Sequence, residues 1–160
     1  MTMAAEIDPT RAASTQSRGH KVEAAGGERL HYQGMEFAIR ASAESTGGAF
    51  SIVEGLYPLD TPLHIHHSHD ELFYVLEGEH VFTVGGTELQ AVPGDVVFGP
   101  RGVPHAHRRV VPRTGRILEM FSPAGFEAFF RDLAEADRNG QFGVDDLRRI
   151  GAKFGVTFLV

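Results

Sequence analysis

The chain of 160 residues contains no cysteine and no tryptophan. Without cysteine there are no disulfides, thiolate–zinc sites or cysteine nucleophiles, so any metal must be held by imidazole and carboxylate. Positive charge is also scarce. Fifteen Lys and Arg against 21 Asp and Glu give a formal net charge of −6, without the basic stripe that nucleic-acid binding requires. No apolar run approaches the ~20 residues needed to span a bilayer. Residues 1–27 lack the apolar core of a signal peptide and carry acidic side chains. These absences predict a cytoplasmic protein that engages neither nucleic acid nor membrane. The length is that of one domain with its own core.

Residues 1–28 are dominated by Ala, Ser, Thr, Gly and charge, too little apolar surface to offset the entropy of ordering, and are expected to form a flexible arm. From residue 29 to 122 the texture changes to short runs rich in Val, Ile, Phe and Tyr, bounded by Gly and Pro. Strands are predicted at 35–40, 49–57, 71–76, 80–84, 88–92, 95–98, 105–110 and 116–121. In the second of these, Glu54 shares a face with Phe50, Ile52 and Leu56, and either face can point inward. Gly85-Gly86 is a two-residue hairpin signal. Many short strands with no long helix between them indicate a sandwich or barrel.

Residues 123–160 read as a helical extension ending in a short strand. Ser122-Pro123 predicts a helix start. Phe126, Phe129, Phe130 and Leu133 make one apolar stripe, which Asn139-Gly140 terminates. A second helix is predicted from Asp145 or Asp146, with Leu147, Ile150 and Phe154 on one face and a stop at Gly155. Between the helices, residues 137–148 superficially resemble a calcium loop. Phe142 stands where that loop needs glycine, and Arg148 where it needs a bidentate glutamate. The segment is a helix–turn–helix connection.

The chemistry is concentrated between Leu59 and Arg109. Residues two apart on a strand point the same way, so His64 and His66 project side by side. Glu71 begins the next strand after a turn at residues 67–70, and its carboxylate can return over the same point. His105 follows the turn Pro100-Arg101-Gly102-Val103-Pro104, which aims it. Three imidazoles and a carboxylate suit one divalent transition metal: iron first, with nickel, manganese, copper or zinc as alternatives. Burying that set without a cation would be costly.

These residues resemble the two motifs of the cupin superfamily. In the first, His64-x-His66, Glu71 and Gly78 match, with Pro58 in place of the leading glycine. In the second, Gly94, Pro100, Gly102 and His105 match, with Arg109 in the asparagine position. The 15 residues between the motifs resemble the spacing of compact, single-domain bacterial members. The runs Thr46-Gly47-Gly48 and 122–127 resemble the quercetin-dioxygenase-like group. The resemblance implies an all-β fold, a single-domain double-stranded β-helix (a jelly-roll barrel) with short C-terminal helices. It also implies His64, His66, Glu71 and His105 as metal ligands, and Glu71 as a group able to act as a base. The motifs specify the fold and leave the reaction open.

The other histidines sort by position. His107, two residues from His105, faces the same cavity and is a catalytic candidate together with Glu71. His67 alternates outward, His69 lies in the turn, His20 and His31 fall outside the motifs, and His80 is expected to face solvent. The cavity walls are expected to be Phe73, Val75, Phe82, Phe98 and Met120, a lining suited to an aromatic substrate. The leading reading is a metal-dependent dioxygenase acting on a flavonoid-like or enediol small molecule. The alternatives are a non-oxidative isomerase, cyclase or lyase, and a non-enzymatic small-molecule-binding protein. An exposed edge strand predicts a homodimer.

Overall fold

Two antiparallel sheets face each other and close over a core of alternating inward side chains. The computed structural model describes residues 19–57, 59–110, 115–140 and 142–160. Most of the expected arm, Pro58 of the first motif and Gln141 of the rejected calcium loop lie outside them.

The six-stranded sheet runs β1 (Glu28–Tyr32), β2 (Met35–Ala41), β3 (Ser51–Tyr57), β10 (Gly115–Ser122), β5 (Asp70–Glu77) and β8 (Val96–Gly99). The five-stranded sheet runs β11 (Val156–Phe158), β4 (His64–His66), β9 (His105–Arg109), β6 (His80–Val84) and β7 (Thr87–Ala91). The architecture is the expected all-β jelly roll. Each expected strand has a counterpart within two residues at either end. The hairpin at Gly85-Gly86 joins β6 to β7, with Val84 opposite Thr87.

Strand parity decides what reaches the interior. On β3, Ser51, Val53 and Tyr57 are buried, so the face carrying Glu54 is the outer one, where Glu54 pairs with Arg40 and Arg116. On β10, Ile117, Glu119 and Phe121 point in. On β5, Glu71, Phe73 and Val75 do.

Three helices accompany the sheets: α1 (Ala43–Thr46), α2 (Glu127–Arg138) and α3 (Val144–Lys153). The apolar stripe of α2 is buried at Phe129, Phe130, Leu133 and Ala134, packed on β1 and α3. The helix does not start at Ser122-Pro123. Ser122 is the last residue of β10, opposite Asp70, and its hydroxyl donates to the Ala49 carbonyl at 3.2 Å. The chain crosses a cis peptide at Pro123 and turns helical only after Phe126. There the Glu127 carboxylate accepts from Ala43 N at 2.7 Å and Gly125 N at 2.9 Å. Beyond α3, β11 pairs with β4, Val156 opposite His66 and Phe158 opposite His64. The C-terminal strand therefore buttresses the strand that carries two of the expected ligands. No helix among the described residues is long and apolar enough to cross a membrane.

Candidate metal centre

Four donors meet inside the barrel. One nitrogen each of His64, His66 and His105 and one Glu71 oxygen all lie within 4.8 Å of one another. Glu71 Oε2 is 2.9 Å from His105 Nε2, 3.1 Å from His66 Nε2 and 3.9 Å from His64 Nε2. The topology brings this about. β4 and β9 are neighbours with His64 opposite His105, while β5 presents Glu71 from the facing sheet. The loop before His105 is tied at two points. Gly102 N donates to the His66 carbonyl at 2.7 Å, and both the backbone N–H and the guanidinium of Arg101 bind the Asp70 carboxylate. Gly102 adopts φ +79°, a left-handed conformation in which a side chain would be strained.

The hydrogen bonds behind the imidazoles show what the centre is built to hold. His64 Nδ1 is 2.8 Å from the Pro62 carbonyl and His105 Nδ1 is 2.9 Å from the Val103 carbonyl. A carbonyl can only accept, so each Nδ1 carries the proton and each neutral ring turns its Nε2 lone pair toward Glu71. A lone pair aimed at a buried carboxylate needs a cation between the two, a metal ion or, as across the 2.9 Å His105–Glu71 contact, a proton. The donor set therefore fits a divalent metal, with the outer hydrogen bonds fixing ring tautomer and orientation. Burial would raise the Glu71 carboxyl, but the imidazoles around it hold it well below its ordinary value. Burial lowers His64. For His105 burial is outweighed by Glu71, which raises it.

A cavity of about 260 Å³ runs from this cluster into the barrel, walled by Phe73, Phe126, Phe129 and Phe158 among others. Its polar wall includes His107, Glu119 and Tyr57, each 3% exposed. The Tyr57 hydroxyl donates to Glu119 Oε1, and His107 Nε2 lies 3.9 Å from the same oxygen. Burial and the Glu71 charge raise the Glu119 carboxyl well above its ordinary value, and burial pulls His107 down to about 3. Gly55 makes room for the Tyr57 ring, since a Cβ there would sit 2.7 Å from Tyr57 Cζ. Gly55→Ala is expected to destabilise the protein by about 1–3 kcal/mol through overpacking, read as a lower urea midpoint.

Several expected positions are corrected. Phe98 is 55% exposed, because Val97 pairs with Phe73 and takes the inward parity of β8. Met120 lies on the outer face of β10, alternate to Glu119 and Phe121. Val75 and Phe82 are fully buried core rather than cavity wall; of the five expected, Phe73 alone lines the cavity. His80 is buried rather than solvent-facing. It shares the inward parity of Phe82 on β6, and its Nε2 lies 3.3 Å from the Glu77 carbonyl.

His67 points outward as expected, 2.9 Å from Thr157 Oγ1. His69 stays in the turn, half-buried against Phe126. His31 is exposed on β1. Arg108 pairs with Glu88 at the surface, and Arg109 is half-buried beyond His107. Glu119 and Tyr57 were not foreseen. Their signal was the alternation Ile117-x-Glu119-x-Phe121, masked by the equally apolar Leu118 and Met120.

Comparison with known proteins agrees with this geometry. The cupin-domain family model matches residues 58–121. Quercetin 2,3-dioxygenase of Bacillus subtilis is 32% identical over 116 residues, which cover 71% of this chain but 34% of that protein, so the chain spans about a third of its length. An uncharacterized protein of Streptomyces coelicolor is 38% identical over 72 residues, 43% of this chain and 68% of its own. The solved structure of an RmlC-like cupin from Shewanella frigidimarina superposes with a TM-score of 0.59 at 23% identity, over 71% of this chain and 98% of that one. The motif residues, the two facing sheets and the four-donor cluster thus converge on a cupin domain, which the family model places at residues 58–121.

Proposed function

We propose that the protein is a metal-dependent dioxygenase acting on a compact aromatic molecule with a flavonol-like or enediol edge. The observation that carries the reading is the cluster of three imidazole nitrogens and one carboxylate oxygen at an aromatic-walled cavity. The similarity to quercetin 2,3-dioxygenase supports it. His64, His66, His105 and Glu71 would hold one divalent ion, iron in our reading. When bound, the metal supplies Lewis acidity and a redox partner for dioxygen.

The chain supplies the rest. Pro62 and Val103 hold two imidazoles in the binding tautomer. Glu71 accepts the proton of a substrate hydroxyl as that oxygen becomes anionic. The phenylalanine walls exclude water and stack on the substrate ring. At about 260 Å³ the cavity lies just below the usual range for ligand pockets of roughly 300–1,000 Å³, which favours a small ring system.

Oxygen-electrode assays with quercetin and simple enediols test the reading. Substrate-dependent oxygen uptake in metal-loaded protein, lost in Glu71→Ala, is the expected result. Turnover without oxygen would instead assign a non-oxidative isomerase, cyclase or lyase. Absence of both would leave a binding protein.

Acid pH should release the metal. Ligand imidazoles must be neutral to bind it, and His105, raised by Glu71, is the ligand histidine whose own shift favours taking up a proton. Affinity should therefore be flat at alkaline pH and begin to fall at or above the ordinary histidine value of about 6.5. Chelator competition across pH reads this directly, and affinity unchanged down to about pH 5 would count against histidine ligation.

We also propose a homodimer through the outer face of β5 and the edge strand β8, where Val96 is 57% and Phe98 55% exposed. Phe98→Asp should then shift the protein to monomer in sedimentation.

A further inference from the structure

Next to the four-donor cluster the cavity wall holds polar groups that the metal chemistry leaves unused. Glu119 Oε2 and both ring nitrogens of His107 are buried without a hydrogen-bond partner among the described residues. Both side chains line the cavity. Buried polar atoms of this kind are costly unless something satisfies them. His107 Nε2, 3.9 Å from the Glu119 carboxyl, and Glu119 Oε2 together form a site for a ligand group.

The character of that group follows from what surrounds it. Tyr57 gives its hydroxyl proton to Glu119 Oε1, which leaves Oε2 as the carboxyl oxygen still without a partner among the described residues. No lysine or arginine lines the cavity among the described residues, so no cationic side chain would pair with an anionic substituent there. Burial, with the Glu71 charge, raises the Glu119 carboxyl well above its ordinary value, and in its protonated form Oε2 offers an O–H donor. The imidazole of His107 adds an N–H donor in either protonation state. Phosphate or carboxylate groups would be desolvated there without a counter-ion. A neutral hydroxyl satisfies the donors at no such cost.

Position sets the spacing. His107 lies two residues along β9 from His105, about 7 Å. That is close to the span of one six-membered ring with a one-carbon substituent.

We propose that Glu119, held by Tyr57 and flanked by His107, forms a neutral hydroxyl-recognition subsite one step along the barrel from the metal centre, so that the substrate carries an uncharged hydroxyl across one ring from its metal-binding edge. The proposal rests on the metal-chelation reading above and adds a specificity rule to it.

Three hydroxypyranones test the rule. All share one hydroxyketone edge that chelates metal and differ only at the opposite ring position: methyl in allomaltol, hydroxymethyl in kojic acid, carboxylate in comenic acid. Their binding to zinc-reconstituted protein is measured by titration calorimetry, since zinc is redox-inert and gives no turnover. Kojic acid should bind about tenfold more tightly than allomaltol, and comenic acid more weakly than both. Glu119→Leu should bring the kojic acid to allomaltol ratio close to one. Glu119→Gln, which keeps a neutral donor and acceptor in the same place, should retain most of it.

Equal affinity for kojic acid and allomaltol in the wild type overturns the subsite while leaving chelation intact. So does a preference that persists in folded Glu119→Leu. If Glu119→Leu does not fold, the wild-type ligand series and Glu119→Gln still decide. Binding of none of the three, in protein with measured zinc, overturns the chelation reading and the subsite with it.

Discussion

Alanine at His64, His66, His105 or Glu71 should lower metal affinity by roughly a hundredfold or more, whereas His67→Ala should leave it unchanged. Loss of an outer hydrogen bond to a metal ligand already costs about 10–100-fold, and each of the four removes a donor outright. His67 is the control because it is adjacent in sequence yet exposed and bonded to Thr157. Glu71→Ala is the most informative of the set. It removes the single negative charge that three imidazole nitrogens surround within 3.9 Å, and leaves a neutral pocket with less attraction for a cation. Metal content after dialysis against a weak chelator, read by mass spectrometry, checks the series. Equal content in all five variants would contradict the ligand assignment.

The second large effect is expected in the core. Phe126→Ala should destabilise the protein by about 3–5 kcal/mol. Phe126 is 3% exposed and joins the C-terminal helices to the sheet that carries His64, His66 and His105. Its ring centroid lies 4.4 Å from Phe121, 4.6 Å from His66 and 4.9 Å from Phe129. Truncation leaves a cavity that β10, β4 and α2 cannot all close at once. It also frees the His66 ring, so the variant should lose metal more readily than its folded fraction alone accounts for. Chemical denaturation with and without metal separates the two effects. A loss under about 1 kcal/mol would mean that α2 is peripheral rather than part of the core.

The metal centre was legible because its signal is local. His64 and His66 are two apart on one strand, and Glu71 and His105 each follow a turn marked by its own residues. The α2 stripe was legible for the same reason, from a period written in Phe126, Phe129, Phe130 and Leu133. What was missed depends on partners distant in sequence. β1 carries only Leu30 and Tyr32 as buried apolar residues and owes its place to pairing with β2. The pairing of β11 with β4 joins segments about 90 residues apart, which no local pattern encodes.

Parity was the other weakness. β8 and β10 are apolar on both faces, so Phe98 and Met120 were placed inward when Val97, Glu119 and Phe121 hold that side. Placing Phe82 inward already implied the same for His80, two residues away. Register across β5 and β8, with Phe73 opposite Val97, is what settles the matter.

The measurement that bears most directly on the central claim is the metal content of protein purified without added metal or chelator, with titration of any metal-free fraction. The account predicts one divalent transition metal per chain, or uptake to that stoichiometry, and binding weakened by about a hundredfold or more in Glu71→Ala. Protein that contains no metal and takes up none from iron, nickel, manganese, copper or zinc would contradict it.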